Sequence, residues 1–351
     1  MSSIPFDDSP LGNAPSEKSP SENTVTANLG VSSADSMIEL GVRLGRLHLP
    51  NPVMVASGTF GYAKEMEGLV DLTRLGGILP KTITRASRAG NAPWRTVETS
   101  AGLLNAIGLD NDGIDYFIAH HWPYLRSTRA NIIVSIAGKS HEDFVALAAQ
   151  LAPLEPFAVE LNVSCPNVTG GIDFGTDPIA CHRVVSGVRA VLDCPILTKL
   201  TPNVTQIAEI AKAAYEAGTD AVTCINTVLG MSIDWKKQRP LLANTVGGLS
   251  GPAIKPVALR CVYQIASRVP VPIVGVGGIA TIDDAMEFLV AGASAFQIGT
   301  ANYYDPQVSI KILEQLPGAI ASLGAKRLTD VVGTLQVPKP SPIPVNAVLP
   351  P

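Results

Sequence analysis

Charge is scarce in this chain. Only 16% of the 351 residues are Asp, Glu, Lys or Arg, and 26 basic against 30 acidic residues leave a formal net charge of −4. A protein that reads phosphates along a nucleic acid carries a clustered basic surplus, so no nucleic-acid partner is expected. Cysteine is scarce as well: Cys165, Cys181, Cys194, Cys224 and Cys261 are all there are. An odd, scattered set does not make a disulfide framework, and a reducing cytoplasm is the simplest home. No Cys-x-x-Cys pair is present, so no metal or iron–sulfur site is expected from this chain alone. No apolar run reaches the ~18 residues of a membrane span, and no membrane association is expected. The basic-then-apolar pattern of a signal peptide is missing too.

What is present is apolar material for a large core, 46% of the chain. The length suits about two domains or one α/β barrel. Residues 1–36 are rich in Ser, Pro, Asn and Glu, and are expected to form a disordered extension, because such a segment cannot bury enough apolar surface to offset ordering. Residues 338–351, with Pro338, Pro340, Pro342 and Pro344, are expected to form an extended proline-rich tail. Between them, over residues 37–337, short apolar runs alternate with helical patterns. The expected strands are Pro52–Ala56, Gly77–Lys81, Asn131–Ile136, Ala158–Asn162, Ile196–Leu200, Ala221–Ile225, Pro272–Val276 and Ala295–Gly299. None alternates cleanly, which is the pattern of strands buried on both faces of a parallel sheet. A helix is expected from Val204 to Ala217 and stopped by Gly218; a second is opened by a Thr281-Ile282-Asp283-Asp284 capping box and runs to Gly292. Eight such units predict a (β/α)8 TIM barrel. A doubly wound open sheet is the alternative, but the Gly-rich dinucleotide turn that usually follows its first strand is absent.

Barrel chemistry sits at the C-terminal strand ends, with phosphate often held after the seventh and eighth strands. Both of those ends are glycine-rich, at Gly277-Gly278 and Gly299-Thr300. They are either tight turns or a backbone cradle for a phosphate, aided by the helix start that follows. Other strand ends carry Lys81-Thr82, Asn162, Cys165-Pro166-Asn167, Lys199 and Asn226-Thr227. A lone lysine there can snorkel to solvent, but two facing one mouth point to an anionic or electron-rich ligand. Amide side chains offer donors and acceptors to a planar, amide-rich ring. Cys165, in a polar loop, suits an acid–base or nucleophilic role; the other four cysteines read as structural thiols.

At these residues the chain resembles the dihydroorotate dehydrogenases, FMN-dependent barrels of pyrimidine synthesis. The resemblance spans roughly residues 38–320. It rests on Ser57-Gly58-Thr59-Phe60-Gly61, Lys81-Thr82-Ile83-Thr84, Asn105 through Leu109, Asn162 through Asn167, Lys199 through Asn203, Asn226-Thr227, Gly275 through Ile279 and Ile298-Gly299-Thr300. Cysteine at 165 is similar to the soluble class 1 enzymes, and the Ser-Gly-Thr-Phe-Gly segment to the NAD-linked subgroup. The resemblance implies that Cys165 takes the C5 proton of dihydroorotate while hydride leaves C6 for the flavin. It implies that Lys81, Asn105, Ala106, Ile107, Gly108, Leu109, Asn162, Asn167, Asn226 and Thr227 hold the substrate. It places Ser57, Lys81, Thr82, Ser135, Asn162, Lys199, Ile225, Gly251, Gly277, Gly278, Gly299 and Thr300 around FMN. It also implies an iron–sulfur, FAD-bearing partner subunit and a homodimer at the core of a heterotetramer. Ser135 departs from the family, which typically has Asn there. Two alternatives remain: an FMN barrel acting on a neutral dihydropyrimidine, and a non-redox aldolase or isomerase binding a sugar phosphate, with Lys81 or Lys199 as Schiff-base lysine.

Overall fold

Eight short apolar runs become eight parallel strands in a computed structural model that describes residues 38–164 and 174–338. The expected extension over 1–36, Cys165, Asn167 and nearly all of the expected C-terminal tail lie outside the described residues. The strands are β1 (Val53–Val55), β2 (Gly77–Ile78), β3 (Ile133–Ile136), β4 (Ala158–Asn162), β5 (Ile196–Leu200), β6 (Ala221–Cys224), β7 (Ile273–Val276) and β8 (Ala295–Ile298). They pair in the order β2-β1-β8-β7-β6-β5-β4-β3. The remaining seam, between β2 and β3, is bridged in parallel by Ile78 and Ile132, and Ile78 N–H donates to Asn131 O at 2.9 Å. The result is a (β/α)8 TIM barrel. Each expected run contains one strand, because strands buried on both faces read as unbroken apolar segments.

The helices cover the barrel through apolar faces. The helix expected from Val204 spans Ile207–Glu216, with Ile207, Ala208, Ile210, Ala211 and Ala214 buried. It starts late because the preceding loop is tied elsewhere: Asn203 Nδ2 donates to Thr201 Oγ1 and to Thr227 O. The capping box at Thr281 forms as read. Asp284 N–H donates to Thr281 Oγ1 at 3.2 Å, Thr281 N–H donates to Asp284 Oδ2 at 2.9 Å, and Ile282–Ala291 ends at Gly292.

At the N-terminal end of the barrel a hairpin, Val42–Leu44 with Leu47–Leu49, buries Leu44 and Leu47. Its turn residue Arg46 donates to Asp220, just ahead of β6, at 2.9 Å from both Nε and Nη2. Burial pushes the Asp220 carboxyl up, but the Arg46 guanidinium and the Ile196 N–H together hold it below the usual carboxylate range.

The opposite, C-terminal end carries an element absent from the sequence reading. An antiparallel sheet forms from Thr96–Thr99, Gly102–Asn105, Val246–Ser250 and Val228–Met231. Two of its strands come from the β2–β3 connection and two from the β6–β7 connection. Leu104, Ala106 and Leu242 give it a small core of its own. Among the described residues, no helix is long and apolar enough to cross a membrane.

Candidate active site

A cavity of about 1200 Å³ lies at the C-terminal strand ends, with the antiparallel sheet contributing Thr96, Gly102, Leu103, Asn105 and Ser250 to its wall. Side chains alternate along a strand, so the last inward residue of each strand reaches this space. On β4 that residue is Asn162, and on β5 it is Lys199, which pairs in register with Asn162 on one side and Thr223 on the other. Lys199 is buried, yet among the described residues neither it nor Lys81 has a carboxylate partner. Lys81 is fixed by its backbone, whose N–H donates to Gly61 O at 2.8 Å. Two unpaired cations therefore face one cavity.

Between them runs an amide and hydroxyl network. Asn226 Nδ2 donates to Ser164 Oγ at 2.8 Å, and Ser164 Oγ donates to Asn162 Oδ1 at 3.1 Å. Thr227 N–H donates to Asn226 Oδ1 at 2.8 Å. Ile225 and Thr227 also line the cavity. Thr82 lines it as well; its hydroxyl is 3.4 Å from Ser57 Oγ and 2.9 Å from Ser135 Oγ.

Ile107, Gly108 and Leu109 form another stretch of wall. Gly108 and Leu109 both have positive φ, 80° and 56°, which in Leu109 is a left-handed conformation unusual for a branched residue. Arg88 Nε and the Asn91 N–H hold the loop by donating to Gly108 O and Ile107 O. The Gly108 and Leu109 N–H groups have no acceptor among the described residues, and successive free N–H groups in such a turn form a concavity for anions.

Gly277 and Gly278 lie on the far wall with φ of 132° and 82°. A Cβ on Gly278 would come within 2.8 Å of Lys255 Cβ and 3.0 Å of Gly251 O, so only glycine fits. The N–H groups of Gly278, Ile279 and Thr300 have no acceptor among the described residues. Gly251 and Gly299 complete this wall, where Thr300 Oγ1 donates to Ser250 Oγ at 2.7 Å. The helix start at Ile282, after Gly277-Gly278, does not assist this wall as expected. Asp284 Oδ2 already accepts from Ala280 N–H at 3.0 Å and from Thr281 N–H, while Asp284 Oδ1 accepts from Lys255 Nζ at 2.6 Å. The capping carboxylate has taken the place of an external anion.

Two residues expected at the ligand do not reach the cavity. Ser135 is fully buried in β3 and its short side chain stops at Thr82 Oγ1, one contact behind the wall. Ala106 turns its methyl into the small core of the antiparallel sheet. Residues missed from the sequence include Arg95, which lines the cavity and pairs with Asp110 at 2.8 Å, and Tyr303, whose hydroxyl donates to Gly58 O at 2.9 Å. The hairpin around Ser100-Ala101 was the available signal for the first of these. No group of three or more His, Cys, Asp or Glu is placed to hold a metal among the described residues. What the cavity offers is amide donors and acceptors, two lysines without carboxylate partners among the described residues, and two sets of free backbone N–H groups.

Comparison with known proteins gives the family. The sequence profile described as dihydroorotate dehydrogenase matches residues 39–320. The chain is 48% identical over 303 residues to a Phocaeicola vulgatus protein named dihydroorotate dehydrogenase B (NAD(+)), catalytic subunit, covering 86% of this chain and 100% of that one. Proteins of the same name from Geotalea uraniireducens and Listeria monocytogenes are 49% and 46% identical, covering 85% and 84% of this chain and 98% of each relative.

Proposed function

Because the chain belongs to the dihydroorotate dehydrogenase family, we propose that it oxidises dihydroorotate to orotate in pyrimidine biosynthesis, as the FMN-bearing catalytic subunit of an NAD-linked enzyme. The observation that carries this reading is the division of one cavity into two anion-binding walls with two unpaired lysines between them. The Gly278, Ile279 and Thr300 N–H groups are free to cradle a phosphate, and a Cβ at Gly278 would collide with Lys255 and Gly251 and displace them. The cavity has room for a flavin and a pyrimidine together. These residues fit FMN.

The residues proposed to hold it are Ser57, Lys81, Thr82, Asn162, Lys199 and Ile225, with Gly251, Gly277, Gly278, Gly299 and Thr300 around its phosphate. Ser135 contributes through Thr82. Bound there, the flavin supplies the acceptor for the hydride from substrate C6. The chain's residues supply the rest. Lys199, a buried lysine held in β5, stabilises negative charge gathering at the ring edge beside it. Lys81 and the free N–H groups of Gly108 and Leu109 bind the substrate carboxylate. Asn105, Asn162, Asn167, Asn226 and Thr227 hold the ring, with Ala106 and Ile107 setting the loop. Cys165 accepts the C5 proton as general base.

The free N–H groups at Gly108-Leu109, beside Lys81, favour an anionic orotate-type ring over a neutral dihydropyrimidine, which has no carboxylate for them. Electrons then leave through a second subunit carrying FAD and an iron–sulfur cluster, around a homodimer of this chain. One experiment tests the whole reading. The purified chain should be yellow, turn over dihydroorotate but not dihydrouracil with an artificial dye, and reduce NAD only after co-expression with its partner. Equal turnover of dihydrouracil, or efficient NAD or fumarate reduction by the chain alone, would refute it.

A further inference from the structure

Among the described residues, Glu160 is the one charged-type residue in the barrel strands that the proposed chemistry leaves unused. It is fully buried in β4, two residues before Asn162 and therefore one layer beneath the cavity floor. Its Oε2 accepts from Thr223 Oγ1 at 2.9 Å and from Gln297 Nε2 at 2.8 Å. Its Oε1 has no partner among the described residues. Gln297, equally buried in β8, likewise has none for its own Oε1. Two side chains already joined by one hydrogen bond are thus each left with a bare acceptor oxygen.

Acceptors cannot satisfy each other. A single proton on Glu160 Oε1 satisfies both, since a carboxylic acid and a primary amide pair through two antiparallel hydrogen bonds, N–H to O and O–H to O. The alternative, an ionised carboxylate with one oxygen unmet in a dry barrel, is strongly disfavoured. Such an anion would draw a nearby ammonium, yet neither Lys199 nor Lys81 pairs with it.

We propose that Glu160 holds a proton on Oε1 and donates it to Gln297 Oε1, forming a neutral acid–amide bridge that is a positioning device for the site. The bridge ties β4 to β8 across the barrel, and the Thr223 hydroxyl adds β6. Two residues further along these strands stand Asn162, Gly299 and Ile225, all on the cavity wall. Because the bridge is neutral, Lys199 remains the uncompensated charge on the floor. A charged tie would have cancelled it.

The test is infrared difference spectroscopy of wild type against Glu160→Gln, on protein with and without flavin. The expected result is a protonated-acid carbonyl band above the amide envelope in wild type, shifted down in D2O and lost in the variant. Glu160→Gln should also keep its melting temperature within about 2 °C and its visible flavin spectrum unchanged, since its amide donates where the acid proton did. Glu160→Met, which strands both Gln297 and Thr223, should lose roughly 3–10 °C and shift the flavin spectrum. Absence of the acid band overturns the proposal, as does a Glu160→Gln variant destabilised as far as Glu160→Met. Neither readout needs turnover, so the outcome stands apart from the reaction assigned above.

Discussion

Gly278→Ala is the sharpest perturbation of the phosphate wall. The new methyl enters a residue with φ of 82° and meets Lys255 Cβ at 2.8 Å, Lys255 N at 3.0 Å and Gly251 O at 3.0 Å. The left-handed conformation costs an alanine about 1–2 kcal/mol. The contacts are with backbone and with the root of a side chain, so something must move, at roughly 1–3 kcal/mol. Reduced freedom of the unfolded chain returns about 0.4–1 kcal/mol. The net loss is about 1–5 kcal/mol, a fall of roughly 2–15 °C in melting temperature for a barrel this size. Flavin binding should suffer more. The displacement moves the Gly278 and Ile279 N–H groups, and losing one or two charge-assisted bonds at about 1.5–3 kcal/mol each weakens FMN by roughly ten-fold to 10⁴-fold. Fluorescence titration of flavin-stripped protein measures this. Gly299→Ala is the control: φ there is not positive and the nearest atom, Ala56 Cβ, lies at 3.5 Å, so its folded stability should hold. A Gly278→Ala protein that binds FMN as wild type does would show that the phosphate lies elsewhere.

Three further outcomes are expected. Cys165→Ser should keep its flavin but lose roughly 10²–10⁴-fold in dihydroorotate oxidation at neutral pH, read by flavin bleaching in a stopped-flow instrument; near-normal bleaching would remove Cys165 from the mechanism. Asp220, its carboxyl held low by Arg46, stabilises the fold above its unfolded value near pH ~3.9, and that contribution fades as pH falls through the lower folded value. Asp220→Asn should therefore cost about 2–4 kcal/mol at pH 7 and show a flatter acid limb below pH ~4 in denaturant titrations; an unchanged limb would mean the Arg46 pair contributes nothing. Removing residues 1–30 should leave flavin content and melting temperature unchanged, and a large drop on calorimetry would show that this segment packs against the barrel.

The barrel was legible because its strands are buried on both faces, so eight apolar runs stood out without any need to know their partners. The helix at Ile282 was legible for a local reason, the Thr281–Asp284 box. The antiparallel sheet was not. Thr96–Thr99 is almost wholly exposed and shows no alternation, and Val246–Ser250, which pairs on the other side of Gly102–Asn105, lies far along the chain, so no local window holds the whole sheet. Within the site, most of the residues that line the cavity could be read from the sequence but their orientations could not. Ser135 and Ala106 sit beside the right neighbours and point the wrong way, into Thr82 and into Leu104 with Leu242. The spent N-terminus at Thr281 was hidden by the same feature that made the helix visible: the carboxylate that announces the cap also fills it.

The two-part origin of the sheet over the mouth bears on how the site comes into being. Asn105 Nδ2 and Gly248 O, bonded at 3.2 Å, are 143 positions apart. Loop closure over such a span is paid late in folding. A chain emerging from its N-terminus presents Lys81 and the Gly108-Leu109 turn first, and Lys199 and Asn226 only afterwards. The glycine cradle comes last, near the end of the barrel. Neither the first four strands nor the last four hold a roofed cavity by themselves. Ligand retention is therefore a report on completed assembly, and a truncated or half-made barrel is barred from doing chemistry by topology alone.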